Sequence, residues 1–257
     1  MMLARIAAIG WLGFVQLLRG RIYLNLVVAG VALVLTALAF DRVSGGEGAR
    51  VLTDIGLAFA SLVVVALAGT SAIVAVTREI ETRQVHLVLA RPVSRAEFVL
   101  GRFTTVALLV ISANLLLGVV LAGLVEVFDG YGLRVFAAFL LINGEGFIVT
   151  GLAILFGVGS SSTMSALFTT TLFVLGRLSL LLREALDAGK LKGPFEPVLE
   201  VAYQMLPHLD LFDLSVFAHG GEAPAWSLMA RVVAYGVAYT GMLLSIAVWR
   251  FQRRDLL

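Results

Sequence analysis

The sequence predicts an all-α, polytopic membrane protein with six transmembrane helices. Of the 257 residues, 60% are hydrophobic and only 14% are charged, and the mean hydropathy is +1.00. A soluble domain has about 25% charged residues. Several apolar stretches reach the length of about 20 residues that a helix needs to cross a bilayer, whereas the strands of a membrane barrel give a much weaker apolar signal. The chain contains no cysteine, which excludes disulfides and thiolate metal sites.

Residues 1–22 form the first predicted element, an interfacial helix. Arg5, Gln16 and Arg19 share one side of a helical wheel, whereas Trp11 lies elsewhere on it. The uncharged interval between the first two arginines of this element is too short to span a bilayer. We therefore expect the helix to lie along the cytoplasmic surface of the membrane. An irregular leader before the first span is the alternative.

Six apolar stretches are predicted to span the membrane, with both chain termini in the cytoplasm. Their predicted bounds are 23–40, 55–76, 104–125, 135–158, 163–182 and 229–249. Arginines are concentrated near the termini and between the second and third spans, and the positive-inside rule places such regions in the cytoplasm. Residues 183–228 form the longest outer loop. This loop is too apolar to be free, so we expect one or two short helices that fold back onto the membrane surface or are partly re-entrant.

The segment 77–103, between the second and third spans, is the most densely charged part of the chain. Residues 77–90 have apolar positions at helical spacing. The proline after Arg91 pushes that residue towards an extended conformation, so the helix should end there. Ser94 and Glu97 form a capping box that starts a new helix. The sequence therefore predicts a helix, a break and a second helix at the cytoplasmic surface, where a plain connecting loop is the alternative.

The same segment carries a pattern shared with a known family. The pattern consists of an acidic residue, an aliphatic run, an Arg-Pro-Val-Ser-Arg motif and a closing Gly-Arg pair, and it occurs here in Arg78–Arg83, Leu87–Phe98 and Gly101–Arg102. In this run the chain resembles the coupling segment of type-2 ABC transporter permease subunits, which belong to six-span ABC exporters. The segment before the last span, 206–213, and the basic ending, 250–256, are also similar to that family.

The resemblance implies a permease subunit in the cytoplasmic (inner) membrane of a bacterium or archaeon. It implies two partners, a second permease subunit (a homodimer is preferred over a heterodimer) and a separate ABC ATPase subunit that powers alternating access. The ATPase would dock on the coupling helix, and the residues implied are Arg78, Glu79, Glu81, Arg83, His86, Arg91, Ser94 and Arg95. Charged residues would orient the partner and aliphatic residues would provide the buried contact.

The chain lacks the Gly-x-x-x-x-Gly-Lys-Ser/Thr loop that binds nucleotide phosphates. We therefore expect it not to be an enzyme and to bind no cofactor itself, with ATP and Mg bound by the partner ATPase. We also expect no nucleic-acid partner. A metal site in the outer loop is disfavoured because the spacing of the candidate ligands matches no strong template; these are His208, Asp210, Asp213 and His219.

Polar residues inside the predicted spans are candidates either for the translocation path or for helix packing, namely Asn114, Asn143 and Glu145. A carboxylate within a membrane is costly, so Glu145 is a functional candidate by default. The structural alternative is that Glu145 pairs with Asn143, or with Asn114 on another helix. Asn114 is otherwise expected to form a helix–helix hydrogen bond. Arg177, near the outer end of the fifth span, is expected to extend its side chain outward to the membrane surface.

Two other functions remain open from the sequence. A secondary transporter without an ATPase would need its own coupling residue, for which Glu145 is the clear candidate, but no matched pair of broken helices points to that mechanism. A membrane scaffold would instead anchor an ATPase and pass force to an extracytoplasmic partner through the outer loop. Association with the lipid bilayer is common to all three functions.

Overall fold

The computed structural model describes residues 2–41, 48–81, 94–129, 132–187, 196–212 and 226–253, and the regular structure in these ranges is entirely helical. The all-α prediction is therefore confirmed for the described residues. In chain order the elements are α1 Met2–Leu18, α2 Arg21–Asp41, α3 Gly48–Ala72 with its continuations Ile73–Arg78 (π-helical) and Glu79–Glu81, α4 Arg95–Asp129, α5 Gly132–Gly157, α6 Ser162–Arg177, α7 Ser179–Asp187, α8 Glu196–Met205, the 3-10 turn Leu209–Phe212 and α9 Trp226–Gln252.

Several of these helices are long and apolar enough to cross a membrane. Within the described ranges there are four, Val51–Glu81, Arg95–Val127, Ala138–Gly157 and Ser227–Gln252, and they contain most or all of the predicted second, third, fourth and sixth spans. The axes of α1 and α2 differ in direction by 65°, and together they could form one further, bent span. The predicted fifth span, 163–182, is divided between α6, which has 16 residues, and α7. The described residues thus give four or five candidate spans where the sequence predicts six.

The division of the predicted fifth span lies at Leu178. α6 ends at Arg177, the backbone dihedral angles of Leu178 are φ −88° and ψ 4°, and α7 begins at Ser179. The buried Ser179 donates a hydrogen bond from Oγ to the Gly176 carbonyl (2.8 Å). This contact satisfies one of the carbonyl groups that a helix leaves free at its C-terminus. Hydropathy does not reveal this break, because the residues on both sides of it are largely apolar.

α3 and α5 lie at the centre of the bundle. Of the 18 most apolar consecutive residues in each helix, 61% are buried in the α3 helix and 67% in α5, but only 33% in α9. A Cβ added at Gly146 of α5 would lie 2.9 Å from Val110 of α4 and 3.0 Å from Val64 of α3. Close approach at small residues is the usual way in which membrane helices pack. A side chain at Gly146 would therefore force three central helices apart.

α1 packs along the first part of α4 through two glycines. Gly10 and Gly13 are buried against Thr104 and Thr105, and the Thr105 hydroxyl shares its proton between the carbonyls of Gly10 (3.2 Å) and Gly101 (3.1 Å). Large apolar side chains are exposed elsewhere on this helix, namely Leu3, Trp11 and Leu12. The prediction of an N-terminal helix is confirmed, and its exposed apolar side chains suit contact with lipid.

Residues 206–212, which we call the wedge, insert between the helices of the bundle. Leu209 and Phe212 are buried, and the wedge packs against glycines of three helices: Gly144 of α5, Gly176 of α6 and Gly236 of α9. Gly144 follows the first residue of α5 by 12 positions, or about 18 Å at about 1.5 Å per residue. The short helices expected in this part of the chain are present, at Glu196–Met205 and Leu209–Phe212.

Candidate functional sites: the ends of the charged segment and a buried ion pair

α4 begins with the capping box that the sequence predicts. The Glu97 N–H donates to Ser94 Oγ (3.1 Å), and the Ser94 N–H donates to a carboxylate oxygen of Glu97 (2.7 Å). The two side chains thus satisfy N–H groups that a helix start leaves free. From this cap α4 continues to Asp129, because no proline interrupts it. The second helix of the charged segment and the predicted third span are therefore one continuous helix.

The other end of the charged segment contains a π-helical turn. Ile73–Arg78 are π-helical, and Glu79–Glu81 return to α-helical geometry. The sequence pattern predicts an ordinary helix here. Each π-type turn holds an extra residue and so changes the direction of the side chains that follow, and such turns are frequent at functional sites. In this chain the turn directly precedes two carboxylates that contact different helices.

Glu79 and Glu81, both predicted to dock an ATPase, bind other helices of this chain. A Glu79 carboxylate oxygen lies 2.7 Å from Arg102 Nη2 of α4. The Glu81 carboxylate accepts two hydrogen bonds from Ser162, one from the backbone N–H and one from the hydroxyl, both of 2.8 Å. Ser162 is the first residue of α6, so Glu81 satisfies a free N–H and places negative charge at the positive end of the helix dipole. These two carboxylates join the end of the α3 helix to α4 and α6.

Arg95, another predicted docking residue, binds the C-terminal end of α9. Its Nη1 donates to the carbonyls of Phe251 (2.7 Å) and Gln252 (3.0 Å), and its guanidinium carbon lies 5.6 Å from the centre of the Phe251 ring. A cation is favourable there because the last carbonyls of a helix lack partners and carry the negative end of its dipole. Two residues further on, Glu97 lies 3.8 Å from Arg5 of α1. The start of α4 therefore contacts both ends of the described chain.

Arg78 is exposed at the end of the π-helical turn. Three further predicted docking residues lie outside the described residues, namely Arg83, His86 and Arg91. The helix break predicted after Arg91 also lies outside them. Sequence reasoning missed two partners, Arg102 and Ser162. The only sequence signal for Arg102 was that its charge is opposite to that of Glu79, at the far end of the segment. The Ser-rich turn that contains Ser162 carried no signal for a carboxylate partner.

Glu145 of α5, Arg177 of α6 and Ser61 of α3 form a buried polar cluster. Glu145 is 1% exposed, and its carboxylate oxygens lie 2.9 Å from Arg177 Nε and 3.2 Å from Arg177 Nη2. Ser61 Oγ donates to the carboxylate (2.8 Å) and accepts from Arg177 Nη2 (2.7 Å). Two parallel contacts between guanidinium and carboxylate form a strong and directional ion pair. The predicted outward extension of Arg177 is therefore wrong, because it would leave a carboxylate charge buried without a cation.

Asn114 and Asn143, the predicted partners of Glu145, bind a backbone carbonyl instead. Asn114 Nδ2 of α4 donates to the Phe139 carbonyl of α5 (2.5 Å), and Asn143 Nδ2 donates to the same carbonyl from within α5 (3.1 Å). Asn114 thus forms the helix–helix hydrogen bond that the sequence predicts for it. The sequence did not identify Arg177 as the partner of Glu145, because the two residues are 32 positions apart on different helices.

The buried ion pair lies directly beside the wedge. Gly144 and Gly176, the sequence neighbours of Glu145 and Arg177, are contact points for Phe212 and Pro207 of the wedge. A displacement of the wedge would therefore change the packing around both charges.

Hydrogen bonds hold the wedge in place. The Ser179 hydroxyl shares its one proton between Asp210 Oδ1 (2.5 Å) and the Gly176 carbonyl (2.8 Å), and the His208 N–H donates to the Tyr235 hydroxyl of α9 (2.9 Å). His208 and Asp210, which were weak metal-ligand candidates, thus belong to the packing of the wedge. In the part of the chain that the structure describes, no group of three or more His, Cys, Asp or Glu residues could hold a metal ion.

Both sites use charge to join helices. At the ends of the charged segment Glu81 and Arg95 bind helix termini, and in the interior Glu145 and Arg177 neutralise each other. Such contacts can transmit a displacement from one helix to the next. Neither a comparison with models of protein families nor one with curated proteins finds a match to this chain.

Proposed function

We propose that this chain is the transmembrane permease subunit of an ATP-driven ABC exporter. The chain pairs with a second permease subunit and docks on a separate ATPase subunit. In this proposal residues 77–103 lie in the cytoplasm, and the ATPase holds the part of the segment between Glu81 and Ser94. ATP and Mg are bound by the partner. The chain has six spans, with α2 as the first and α6 together with α7 as the fifth.

The observation that carries the proposal is that both ends of the charged segment are joined to other helices. Glu81 binds the first residue of α6, Glu79 pairs with Arg102 of α4, and Arg95 binds the last carbonyls of α9. A partner that moved the segment would therefore displace α3, α4, α6 and α9 together. A loop that only connects two spans would need no such contacts.

These contacts divide the predicted docking residues by role. Glu79, Glu81 and Arg95 already bind groups of this chain, so in the proposed transporter they transmit motion rather than bind the ATPase. In this proposal the ATPase binds the charged residues between the two ends, namely Arg83, His86 and Arg91, together with Arg78, whose side chain is exposed. Charged residues at the edge of a binding surface would orient the partner and speed its association.

The two roles can be tested separately by coexpression with the ABC ATPase subunits of the source organism. Affinity purification of the wild-type chain should recover the ATPase, and the double variant Arg83→Ala/Arg91→Ala should lose it. Glu81→Ala should retain the ATPase but weaken the effect of the membrane subunit on ATP hydrolysis in lipid nanodiscs. Arg231→Ala, at the other end of α9, is the control and should behave as wild type.

Two outcomes would contradict the proposal. The first is a wild-type chain that recovers no ABC ATPase. The second is a double variant that binds the ATPase as well as the Arg231→Ala control does, since the charged segment would then not be the docking site. A Glu81→Ala variant with unchanged ATP hydrolysis would leave docking intact but refute transmission through α6.

The wedge favours a second function, the membrane scaffold. Phe212 lies between α5 and α9, so motion of these helices would reach the outer loop and a partner bound there. ATP-dependent movement of solute across reconstituted vesicles would support the permease. ATP-dependent recruitment of an extracytoplasmic protein without solute movement would support the scaffold.

A further inference from the structure

A polar cavity lies between α1, the π-helical turn of the α3 helix and α4. Its volume is about 320 Å³, at the lower end of the range of about 300–1,000 Å³ that is usual for small-ligand sites. The polar part of the wall consists of Gln16, Arg78, Glu79 and Arg102, and apolar side chains such as Leu17 and Val74 complete it. The cavity thus joins a charged wall to an apolar one.

The charged wall is positive overall, because two guanidinium groups face one carboxylate. Arg102 is only 11% exposed, and one of its terminal nitrogens pairs with Glu79. Its buried Nε has no hydrogen-bond partner among the described residues. A buried donor without an acceptor is unfavourable, and a small shift of the Arg102 side chain, which lines the cavity, would let an anion provide that acceptor. Arg78 and Gln16 are exposed and could donate to the same anion.

The position of the cavity indicates where such an anion comes from. One wall is α1, whose Trp11 and Leu12 side chains are 60% and 74% exposed, as expected of a helix in contact with lipid. Lipid headgroups carry phosphate at the level where interfacial helices lie, and clustered arginines there favour anionic lipids. The apolar part of the wall would then contact the glycerol and the start of the acyl chains.

We propose that this cavity binds a phosphate-bearing anion through Arg78 and Arg102, with Gln16 as a further donor. The phosphate of an anionic lipid headgroup and that of a soluble phosphate share this chemistry. A bound anion would join α1 to α3 and α4 beside the Glu79–Arg102 ion pair. The proposal does not depend on the proposed transporter, since it rests on the cavity alone.

The test is thermal unfolding of the purified full-length chain in a neutral detergent, followed by tryptophan fluorescence. The chain is titrated with short-chain phosphatidylglycerol, with phosphatidylcholine and with inorganic phosphate. Phosphatidylglycerol should raise the unfolding temperature, and phosphatidylcholine should not. Arg78→Gln should raise the half-saturating concentration about tenfold or more, as expected for the loss of a charge-assisted hydrogen bond. Arg253→Gln, an exposed arginine that does not line the cavity, should bind like wild type.

Each outcome decides the proposal or the source of the anion. A response to inorganic phosphate but not to the lipid supports the site with a soluble ligand. No response to either anion overturns it, as does equal weakening by Arg78→Gln and Arg253→Gln, which would indicate non-specific attraction of charge. If Arg78→Gln fails to fold, Gln16→Leu replaces it and should weaken binding of the anion severalfold; binding equal to wild type would then overturn the site.

Discussion

The buried ion pair gives a quantitative prediction because its two partners differ in exposure. The Glu145 side chain is 1% exposed, whereas that of Arg177 is 28% exposed. Arg177→Gln leaves a carboxylate enclosed without a cation, and removal of one partner from a buried pair costs about 3–5 kcal/mol. Glu145→Gln leaves a guanidinium that can reach water or headgroups and keeps Ser61 as a partner. The cost of Glu145→Gln should be lower, about 1.5–3 kcal/mol, which is typical of one lost hydrogen bond to a charged group.

The measurement is the free energy of unfolding in mixed micelles, for the two single variants and the double variant. The double variant Glu145→Gln/Arg177→Gln contains no unpaired charge, so it should be more stable than Arg177→Gln alone by about 1 kcal/mol or more. Arg231→Gln is the control, because its side chain is exposed and should change stability by less than about 0.5 kcal/mol.

Two results would refute this reasoning. Equal costs for the two single variants would show that exposure does not determine the penalty. A double variant whose cost equals the sum of the single costs would show that the two charges do not interact in the folded protein. A Glu145→Gln variant that kept both its stability and its transport activity would exclude a structural and a transport role for the carboxylate together.

Two further predictions concern packing and capping. A Cβ at Gly176 would lie 2.5 Å from the Pro207 carbonyl oxygen, so Gly176→Ala should lower stability by about 1–3 kcal/mol in thermal unfolding. A Cβ at Gly241 would have no atom within 4 Å, so Gly241→Ala should raise stability by up to about 1 kcal/mol. Equal effects of the two substitutions would contradict the wedge contact. Ser94→Ala should cost about 1 kcal/mol and speed amide exchange in the first turn of α4, and unchanged exchange there would argue against the cap.

Features that depend on a short stretch of sequence were predictable. The capping box needs only Ser94 and Glu97 at the right spacing, and it forms as expected. The candidate spans follow from the apolar length that a bilayer requires, which is why four of the predicted spans correspond to long helices.

Features that depend on contacts between distant helices were not predictable from the pattern. Arg177 looked like a residue at a membrane edge, because hydropathy does not reveal that a carboxylate on α5 faces it. The end of α6 at Arg177 was hidden by apolar residues on both sides, so the sequence predicted one continuous helix where the structure has two. The π-helical turn has no distinctive composition, and its effect is visible only where Glu79 and Glu81 meet their partners.

α6 connects the two candidate sites, and this connection explains why one short helix carries contacts at both ends. Its first residue, Ser162, binds Glu81 at the charged segment, and its last residue, Arg177, binds Glu145 beside the wedge. With 16 residues it is about 24 Å long at about 1.5 Å per residue, and its backbone hydrogen bonds make it move as a unit. In the proposed transporter, a displacement imposed by the ATPase at Glu81 would therefore reach Arg177, the ion pair and the outer loop through a single rigid element.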